Sequence, residues 1–277
     1  MAEVRRPEPE APREVWIGGQ RLRVEVRPGT GVPLLLCNGI GASLDLLDPF
    51  VEALDADIPV VRFDVPGVGA SPTPRQPYNF FLLARLVAKL MDRLGYDQFN
   101  VLGISWGGGL AQQIAFQMPR RCRQLVLVST ATGALIVPAK PQVLSKMITP
   151  RRYRDPDYAA TIAAEIYGGK MRERPGAVRH VMNSHSNAGS RSGYLLQLLA
   201  AAGWASLPML PLIRQPTLIL SGTDDPIIPV ANARLMHRAI PHSQLHLFDD
   251  GHLGLITSAS DLAPVVAGFL GSQAHAG

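Results

Sequence analysis

A serine set among glycines is the part of the sequence best suited to chemistry. Gly103-Ile104-Ser105-Trp106-Gly107 matches the pattern G-x-S-x-G and stands between an apolar run and a helix-forming segment. In that setting the serine lies at a sharp turn from strand to helix, where residues without side chains let the two elements approach each other. The five letters alone also match by chance, but this context predicts Ser105 as a nucleophile for acyl transfer.

A serine hydroxyl reacts well only when a base takes its proton and an acid orients that base. With a serine at a strand-to-helix turn, the order along the chain is serine, acid, histidine. His252 is predicted as the base, because it follows an apolar run and should lie at the carboxyl edge of the sheet, where ligands bind. The other six histidines are expected to be structural or solvated: His180, His185, His237, His242, His246 and His275.

The acid should follow the preceding strand. The apolar run that comes before the one leading to His252 ends close to Asp224 and Asp225. We predict Asp225 as the acid and Asp224 as a helix cap or a solvated neighbour.

The oxyanion of the tetrahedral intermediate needs two backbone N–H donors. The residue after the nucleophile supplies one, here Trp106, and the loop after the first buried parallel strand supplies the other. That loop is Cys37-Asn38-Gly39-Ile40-Gly41, and we assign the N–H of Ile40 as the second donor. The mechanism needs no metal ion and no organic cofactor.

Short apolar runs alternate with helix-length segments along most of the chain. Runs at 32–39, 59–64, 99–105, 124–130, 216–222 and 243–250 are rich in Val, Leu and Ile and predict strands buried on both faces of a parallel sheet. Segments 43–54, 81–95, 230–239 and 260–270 predict helices, and residues 16–27 predict an antiparallel hairpin at the sheet edge. The pattern predicts an α/β fold with a mostly parallel central sheet flanked by helices.

The alternation breaks between residues 133 and 213, which predict a helical lid inserted between a first core part, 1–132, and a second, 214–277. Residues 131–215 contain eleven Lys and Arg against four Asp and Glu, whereas the whole chain has a net charge of only +5. This local basic surface is either a solvated face or a site for an anionic or polar-lipid surface, and no nucleic-acid-binding module accompanies it. The uncharged stretch 194–213 is broken by Gly203, Pro208 and Pro211, so it predicts a helix of about nine residues and a bent connection rather than a membrane span.

Composition favours the cytoplasm. The amino-terminal segment has charges and prolines where a secretory signal needs an apolar stretch. Cys37 and Cys122 lie inside apolar runs, which predicts reduced core thiols rather than a disulfide or a zinc site. The sequence leaves open whether identical chains associate.

These motifs make the sequence resemble the α/β-hydrolases, and among them the intracellular medium-chain-length polyhydroxyalkanoate depolymerases. The resemblance extends from around residue 16 to 270 and rests on CNGIGASLDLLDPF, FDVPGVGASPTPRQPY, LGISWGGG, GALIVPAKPQVL, TPRRY, IYGG, QPTLILSGTDDPIIP and FDDGHLGLIT. It implies that Ser105, Asp225 and His252 form a catalytic triad. Asn38-Gly39 stands where many esterases have His-Gly, a departure that the depolymerases share.

The substrate that the resemblance implies is a hydrophobic polyester of 3-hydroxyacyl units, stored as cytoplasmic granules with which the protein would associate. Asn38, Trp204 and Met209 are candidates for contact with it. The same catalytic parts would serve a carboxylesterase or a C–C bond hydrolase acting on small molecules, and the shape of the lid decides between these readings. A non-catalytic protein that binds granules through the basic segment is a further alternative, against which the full set of catalytic residues speaks.

Overall fold

Within residues 11–173 and 189–272, which the computed structural model of the chain describes, eight strands form one sheet. They lie in the order β1-β2-β4-β3-β5-β6-β7-β8. Strands β3 to β8 run parallel to one another, and β1 and β2 form the antiparallel end of the sheet, where β2 pairs antiparallel with both β1 and β4. The strands are β1 (Arg13–Ile17), β2 (Gln20–Arg27), β3 (Leu34–Cys37), β4 (Val60–Phe63), β5 (Phe99–Ile104), β6 (Cys122–Val128), β7 (Thr217–Gly222) and β8 (Ser243–Phe248).

Helices cover both faces of this sheet, because its central strands are apolar on both sides. Val101 of β5 belongs to one core cluster together with Leu110, whereas Leu102 belongs to the opposite cluster together with Phe50. The described helices are α1 (Asp48–Ala53), α2 (Phe80–Arg93), α3 (Trp106–Gln117), α4 (Pro141–Met147), α5 (Arg151–Arg154), α6 (Pro156–Tyr167), α7 (Gly169–Glu173), α8 (Arg191–Ala202), α9 (Val230–Ala239), α10 (Gly254–Thr257) and α11 (Ala259–Gly271). Short 3-10 helices span Leu44–Leu47 and Leu210–Leu212.

The predicted fold class, the strand positions and the edge hairpin are confirmed. Two details differ. Strand β8 is half-exposed rather than buried on both faces, because it pairs with β7 alone at the edge of the sheet. The helix predicted over 43–54 is divided, since a 3-10 turn ends at Leu47 and α1 begins at Asp48 with Pro49 in its first turn, where proline favours a new start.

The segment 133–213, called the lid segment below, carries α4 to α8 in its described part. Helix α8 has twelve residues and begins at Arg191, so the prediction of about nine residues from Tyr194 was too short. It begins early because the Ser190 hydroxyl caps it by accepting the N–H of Gly193 at 2.8 Å. His180, His185 and His275 lie outside the described residues.

Two further expectations concern buried thiols and membrane spans. Cys37 and Cys122 are free and buried, and burial raises the pKa of both thiols. Among the residues that the structure describes, every helix is too short or too polar to cross a bilayer.

Candidate active site

Ser105 occupies a strained turn between β5 and α3. Its φ of 54° and ψ of −121° are rare for a residue with a side chain. The turn is held because Thr130 Oγ1 donates a 2.6 Å hydrogen bond to the Ser105 carbonyl. Glycine is required on both sides: a Cβ on Gly103 would lie 2.3 Å from the Gly107 carbonyl oxygen, and one on Gly107 would lie 2.1 Å from the Cys37 carbonyl oxygen. The tight fit lifts the Ser105 hydroxyl to the carboxyl edge of the sheet.

The three residues predicted as a triad converge at that edge. Ser105 Oγ lies 3.0 Å from His252 Nε2, and His252 Nδ1 lies 2.8 Å from Asp225 Oδ2. The other oxygen of Asp225 accepts the N–H groups of Ile227 and Ile228, each at 2.9 Å. Asp225 and His252 are buried, so the carboxylate is fixed by three hydrogen bonds in a site shielded from water. A proton can pass from the serine to the imidazole in this geometry.

The loop from Asn38 to Gly41 lies beside Ser105. A Cβ built on Gly39 would be 3.7 Å from Ser105 Cβ, so the backbone of the loop comes close to the hydroxyl. Asn38 is buried, and its amide is used within the loop: Nδ2 donates to the Ser43 carbonyl at 2.5 Å, and Oδ1 accepts the Gly39 N–H at 2.8 Å. Both ends of its amide are thus used in shaping the loop, and substrate contact by Asn38 stays a prediction.

A cavity of about 120 Å³ opens beside Ser105. Phe80, Trp106 and Trp204 form its aromatic wall, with ring centroids 4.7 Å apart for Phe80–Trp106 and 4.9 Å apart for Phe80–Trp204. Trp204 thus lies where a substrate contact was predicted, and its Nε1–H donates to Gln113 Oε1 at 2.7 Å. Met209 is not among the residues that line this cavity, and its contact with substrate stays a prediction.

Known proteins are similar to this chain along most of its length. Residues 32–176 and 181–259 match the family described as the alpha/beta hydrolase fold. The chain belongs to the α/β-hydrolase family. It is 52% identical over 267 residues to the poly(3-hydroxyalkanoate) depolymerase of Ectopseudomonas oleovorans, covering 95% of this chain and 94% of that protein. It is 30% identical over 226 residues to 3-oxoadipate enol-lactonase 2 of Acinetobacter baylyi, covering 79% of this chain and 81% of that protein.

The solved structure of the enol-lactonase from Burkholderia xenovorans LB400 has a similar fold. It is 25% identical in sequence, superimposes with a TM-score of 0.79, and covers 93% of this chain and 99% of that one. The family resemblance and the fold predicted from the sequence are confirmed. The catalytic roles of individual residues stay predictions, now supported by their distances.

In this α/β-hydrolase the lid segment is hydrogen-bonded to the loops that carry the predicted triad. Asp224 accepts the N–H of Gly169 at 2.8 Å and pairs with Arg172 at 3.0 Å. The hydrogen bond from Arg172 holds the pKa of this half-exposed carboxyl below its usual value. Asp224 was predicted as a helix cap or a solvated neighbour; it caps α7 of the lid segment, next to Asp225.

A second anchor lies beside His252. Asp250 is buried, and burial on its own would raise the pKa of its carboxyl group. Hydrogen bonds from the hydroxyls of Thr257 and Ser258 and from the Lys170 N–H outweigh this effect, so the pKa of Asp250 is lowered. The N–H of His252 itself donates to the Tyr167 carbonyl at 2.7 Å. The base is therefore held in part by the lid segment.

One residue of the site was missed from the sequence. Gln197, on the buried face of α8, accepts the N–H of Gly41 with Oε1 at 2.7 Å, and its main-chain carbonyl accepts the indole N–H of Trp106 at 2.8 Å. A single polar residue on an otherwise apolar helix face was the available signal, since burying an amide is costly unless it is hydrogen-bonded.

Proposed function

We propose that this α/β-hydrolase cleaves the ester bonds of a poly(3-hydroxyalkanoate), with Ser105 as nucleophile, His252 as general base and Asp225 as the orienting acid. Two independent observations support the proposal: the 52% identity to a poly(3-hydroxyalkanoate) depolymerase over nearly the whole chain, and the continuous hydrogen-bonded series from Ser105 through His252 to Asp225.

The chemistry follows from that series. His252 Nε2 takes the proton of Ser105 as Oγ attacks the ester carbonyl, and the oxyanion is stabilised by the N–H groups of Ile40 and Trp106. Collapse of the intermediate breaks the bond to the alkoxy oxygen, which takes the proton from His252 and leaves as the alcohol end of the polymer. A water molecule then gives a proton to His252 and attacks the carbonyl of the acyl-enzyme. The bond to Ser105 Oγ breaks, Oγ takes the proton back from His252, and the polymer fragment that ends in the new carboxylic acid is released. Asp225 stabilises the imidazolium in both halves.

The cavity beside Ser105 favours acyl units with alkyl side chains. Its wall is aromatic and aliphatic, and it includes Ile136, Ala201 and Ile228 besides the three rings. Each methylene buried there contributes about 0.8 kcal/mol, so a medium-length pendant chain gains affinity that a methyl group does not. This supports a medium-chain-length polyester as substrate.

Exposed apolar side chains that lie close along the chain to cavity-lining residues support a polymer surface as the partner. Leu195 and Leu199, 55% and 64% exposed, share the outer face of α8. Phe81 follows the cavity residue Phe80 along the chain, and two further exposed residues, Leu135 and Val137, flank the cavity residue Ile136. We call these five exposed residues the apolar rim. Exposed apolar side chains such as these suit adsorption to a hydrophobic granule in the cytoplasm.

Replacing Ser105 by alanine tests the enzymatic proposal. We expect about a 10⁶-fold loss of kcat on p-nitrophenyl octanoate and on a medium-chain polyester latex, with adsorption to the latex retained. Turnover that persists in Ser105→Ala would overturn the assignment of the nucleophile. A wild-type protein that cleaves the small ester and leaves the medium-chain polymer intact would overturn the substrate, and favour the small-molecule activity of the enol-lactonases to which the chain is similar.

The apolar rim is tested separately from the chemistry. The double variant Leu195→Gln, Leu199→Gln loses two apolar contacts of about 1 kcal/mol each, so its adsorption to the latex should be about 30-fold weaker. Its kcat/KM on the soluble ester should be unchanged. Leu247→Gln, on the outer edge strand β8, is the matched control. Equal adsorption by the two variants would refute the role of the rim.

A further inference from the structure

Gln197 joins the lid segment to both predicted oxyanion donors. It is 1% exposed and lies on α8, far along the chain from either donor. Its side-chain oxygen holds the N–H of Gly41, next to Ile40, and its main-chain carbonyl holds the indole of Trp106. These two contacts reach the two separate segments that supply the N–H groups.

The pattern of N–H groups in the loop shows what these contacts accomplish. The Gly39 N–H is bound by the Asn38 amide and the Gly41 N–H by the Gln197 amide. In the described part of the chain no protein oxygen accepts the Ile40 N–H between them. Because peptide units are planar, fixing the unit that carries the Gly41 N–H limits rotation at Ile40 and so sets the direction of the neighbouring N–H. The Ile40 N–H is therefore left free to bind an oxyanion, while the N–H groups on either side of it are hydrogen-bonded.

We propose that Gln197 is a positioning residue that holds both oxyanion donors in register, so that docking of α8 completes the oxyanion hole. The proposal rests on the function proposed above. It assigns the lid segment a part in stabilising the transition state, in addition to shaping the substrate cavity. Oxyanion stabilisation depends on donors that are already oriented when charge develops, and α8 supplies that orientation.

Gln197→Met tests the proposal, since methionine has a similar length and lacks the acceptor. We expect kcat on p-nitrophenyl octanoate to fall about 10- to 100-fold, less than the loss of a whole donor, with KM within twofold. A trifluoromethyl ketone such as 1,1,1-trifluorodecan-2-one forms a hemiketal oxyanion with Ser105, so its Ki should rise by the same factor as kcat/KM falls. Decan-2-one, which binds without forming that adduct, should keep its Ki.

Gln215→Met is the matched control. Gln215 is also a buried glutamine that binds a main-chain group, the Ala115 carbonyl at 2.9 Å, and it lies outside the described active-site contacts. Its variant should lose a similar amount of thermal stability and keep normal kinetics. Should Gln197→Met fail to fold, Trp106→Phe tests the other contact, because it removes the indole whose N–H the Gln197 main-chain carbonyl accepts. It also enlarges the cavity, to whose wall Trp106 belongs, so the readout is the ratio of the fluoroketone Ki to the decan-2-one Ki, which should rise.

Two results would overturn the inference. One is normal kinetics in Gln197→Met; the other is a loss confined to KM with the fluoroketone Ki unmoved. Both results are distinguishable from failure of the proposed function. If the proposed function is wrong, Ser105→Ala still turns over substrate; if only this inference is wrong, Ser105→Ala is inactive and Gln197→Met is fully active.

Discussion

Replacing Asp225 by asparagine should nearly abolish turnover, because the surrounding backbone dictates how the new amide is oriented. One oxygen of Asp225 accepts two N–H groups, those of Ile227 and Ile228, and the other faces His252 Nδ1 at 2.8 Å. In the variant one of these two positions becomes an NH₂ group. The two backbone donors retain the amide oxygen, so the NH₂ group faces His252.

The size of the effect follows from this competition. An NH₂ group donating to Nδ1 places the ring proton on Nε2, which then cannot accept the proton of Ser105. The opposite flip leaves two buried N–H groups unsatisfied, at about 1–3 kcal/mol each. The total of about 2–6 kcal/mol corresponds to a preference of about 30-fold to 2 × 10⁴-fold for the inactive tautomer. Since the charge that stabilises the imidazolium is lost as well, we expect kcat to fall about 10³- to 10⁴-fold.

The assay is kcat on p-nitrophenyl octanoate, with thermal unfolding as the check on folding. Asp224→Asn is the control, because Asp224 is the adjacent residue, is half-exposed, and faces Gly169 and Arg172 rather than His252. It should keep its activity within a few-fold, since exposed ion pairs contribute about 1 kcal/mol or less. A loss below tenfold in Asp225→Asn, or a larger loss in Asp224→Asn, would refute the assignment of the acid.

Three further outcomes test the packing around the site. Burial raises the pKa of Asp64 to about 6 from 3.8, so the folded state holds this proton more tightly than the unfolded chain, and the group's contribution to stability falls as the pH rises between these values. Urea unfolding from pH 4 to 7 should therefore show wild type losing about 2 kcal/mol relative to Asp64→Asn, and a flat or rising difference would contradict it. A Cβ on Gly193 would lie 2.0 Å from the Gly67 carbonyl oxygen, so Gly193→Ala should displace α8 and lower both the melting temperature and kcat. Gly203→Ala is the control: no atom lies within 4 Å of its Cβ, so both quantities should stay unchanged. Trp204→Ala enlarges the cavity, so kcat/KM for p-nitrophenyl decanoate should rise relative to kcat/KM for p-nitrophenyl butyrate. The expected rise is about fourfold for each further methylene that becomes buried. An unchanged ratio would show that Trp204 does not line the pocket for the pendant chain.

The convergence of Ser105, Asp225 and His252 could be predicted from the sequence because each follows a strand of one parallel sheet. Strands β5, β7 and β8 point the same way, so their carboxyl ends share one edge whatever the details of the helices between them. Apolar runs mark such strands clearly, and the residue after each run is brought to that edge by topology alone. Their distances, however, depend on the turn at Ser105, whose positive φ no composition rule predicts.

Contacts between the lid segment and the core could not be predicted in the same way. They join residues far apart along the chain, such as Gly41 with Gln197 and Gly169 with Asp224, and neither sheet topology nor helical periodicity determines them. Composition also does not distinguish Trp204 from Met209: an uncharged, apolar stretch favours a pocket lining, but it does not say which of its residues face the cavity. Trp204 faces it because the chain turns at Gly203, after the end of α8.

The lid segment makes direct hydrogen bonds to the predicted active site. Its contacts reach each predicted catalytic loop: Gln197 binds the oxyanion loop, the Tyr167 carbonyl binds the His252 N–H, and the N–H of Gly169 binds Asp224, next to the acid. Each contact is a hydrogen bond to a residue at or beside a reacting group, where a small displacement has a large effect on rate. We therefore expect an exchange of lid segments, designed to change the range of esters cleaved, to keep its activity only if these three contacts are preserved, because a lid that only fits the cavity would leave the predicted donors and base without these hydrogen bonds.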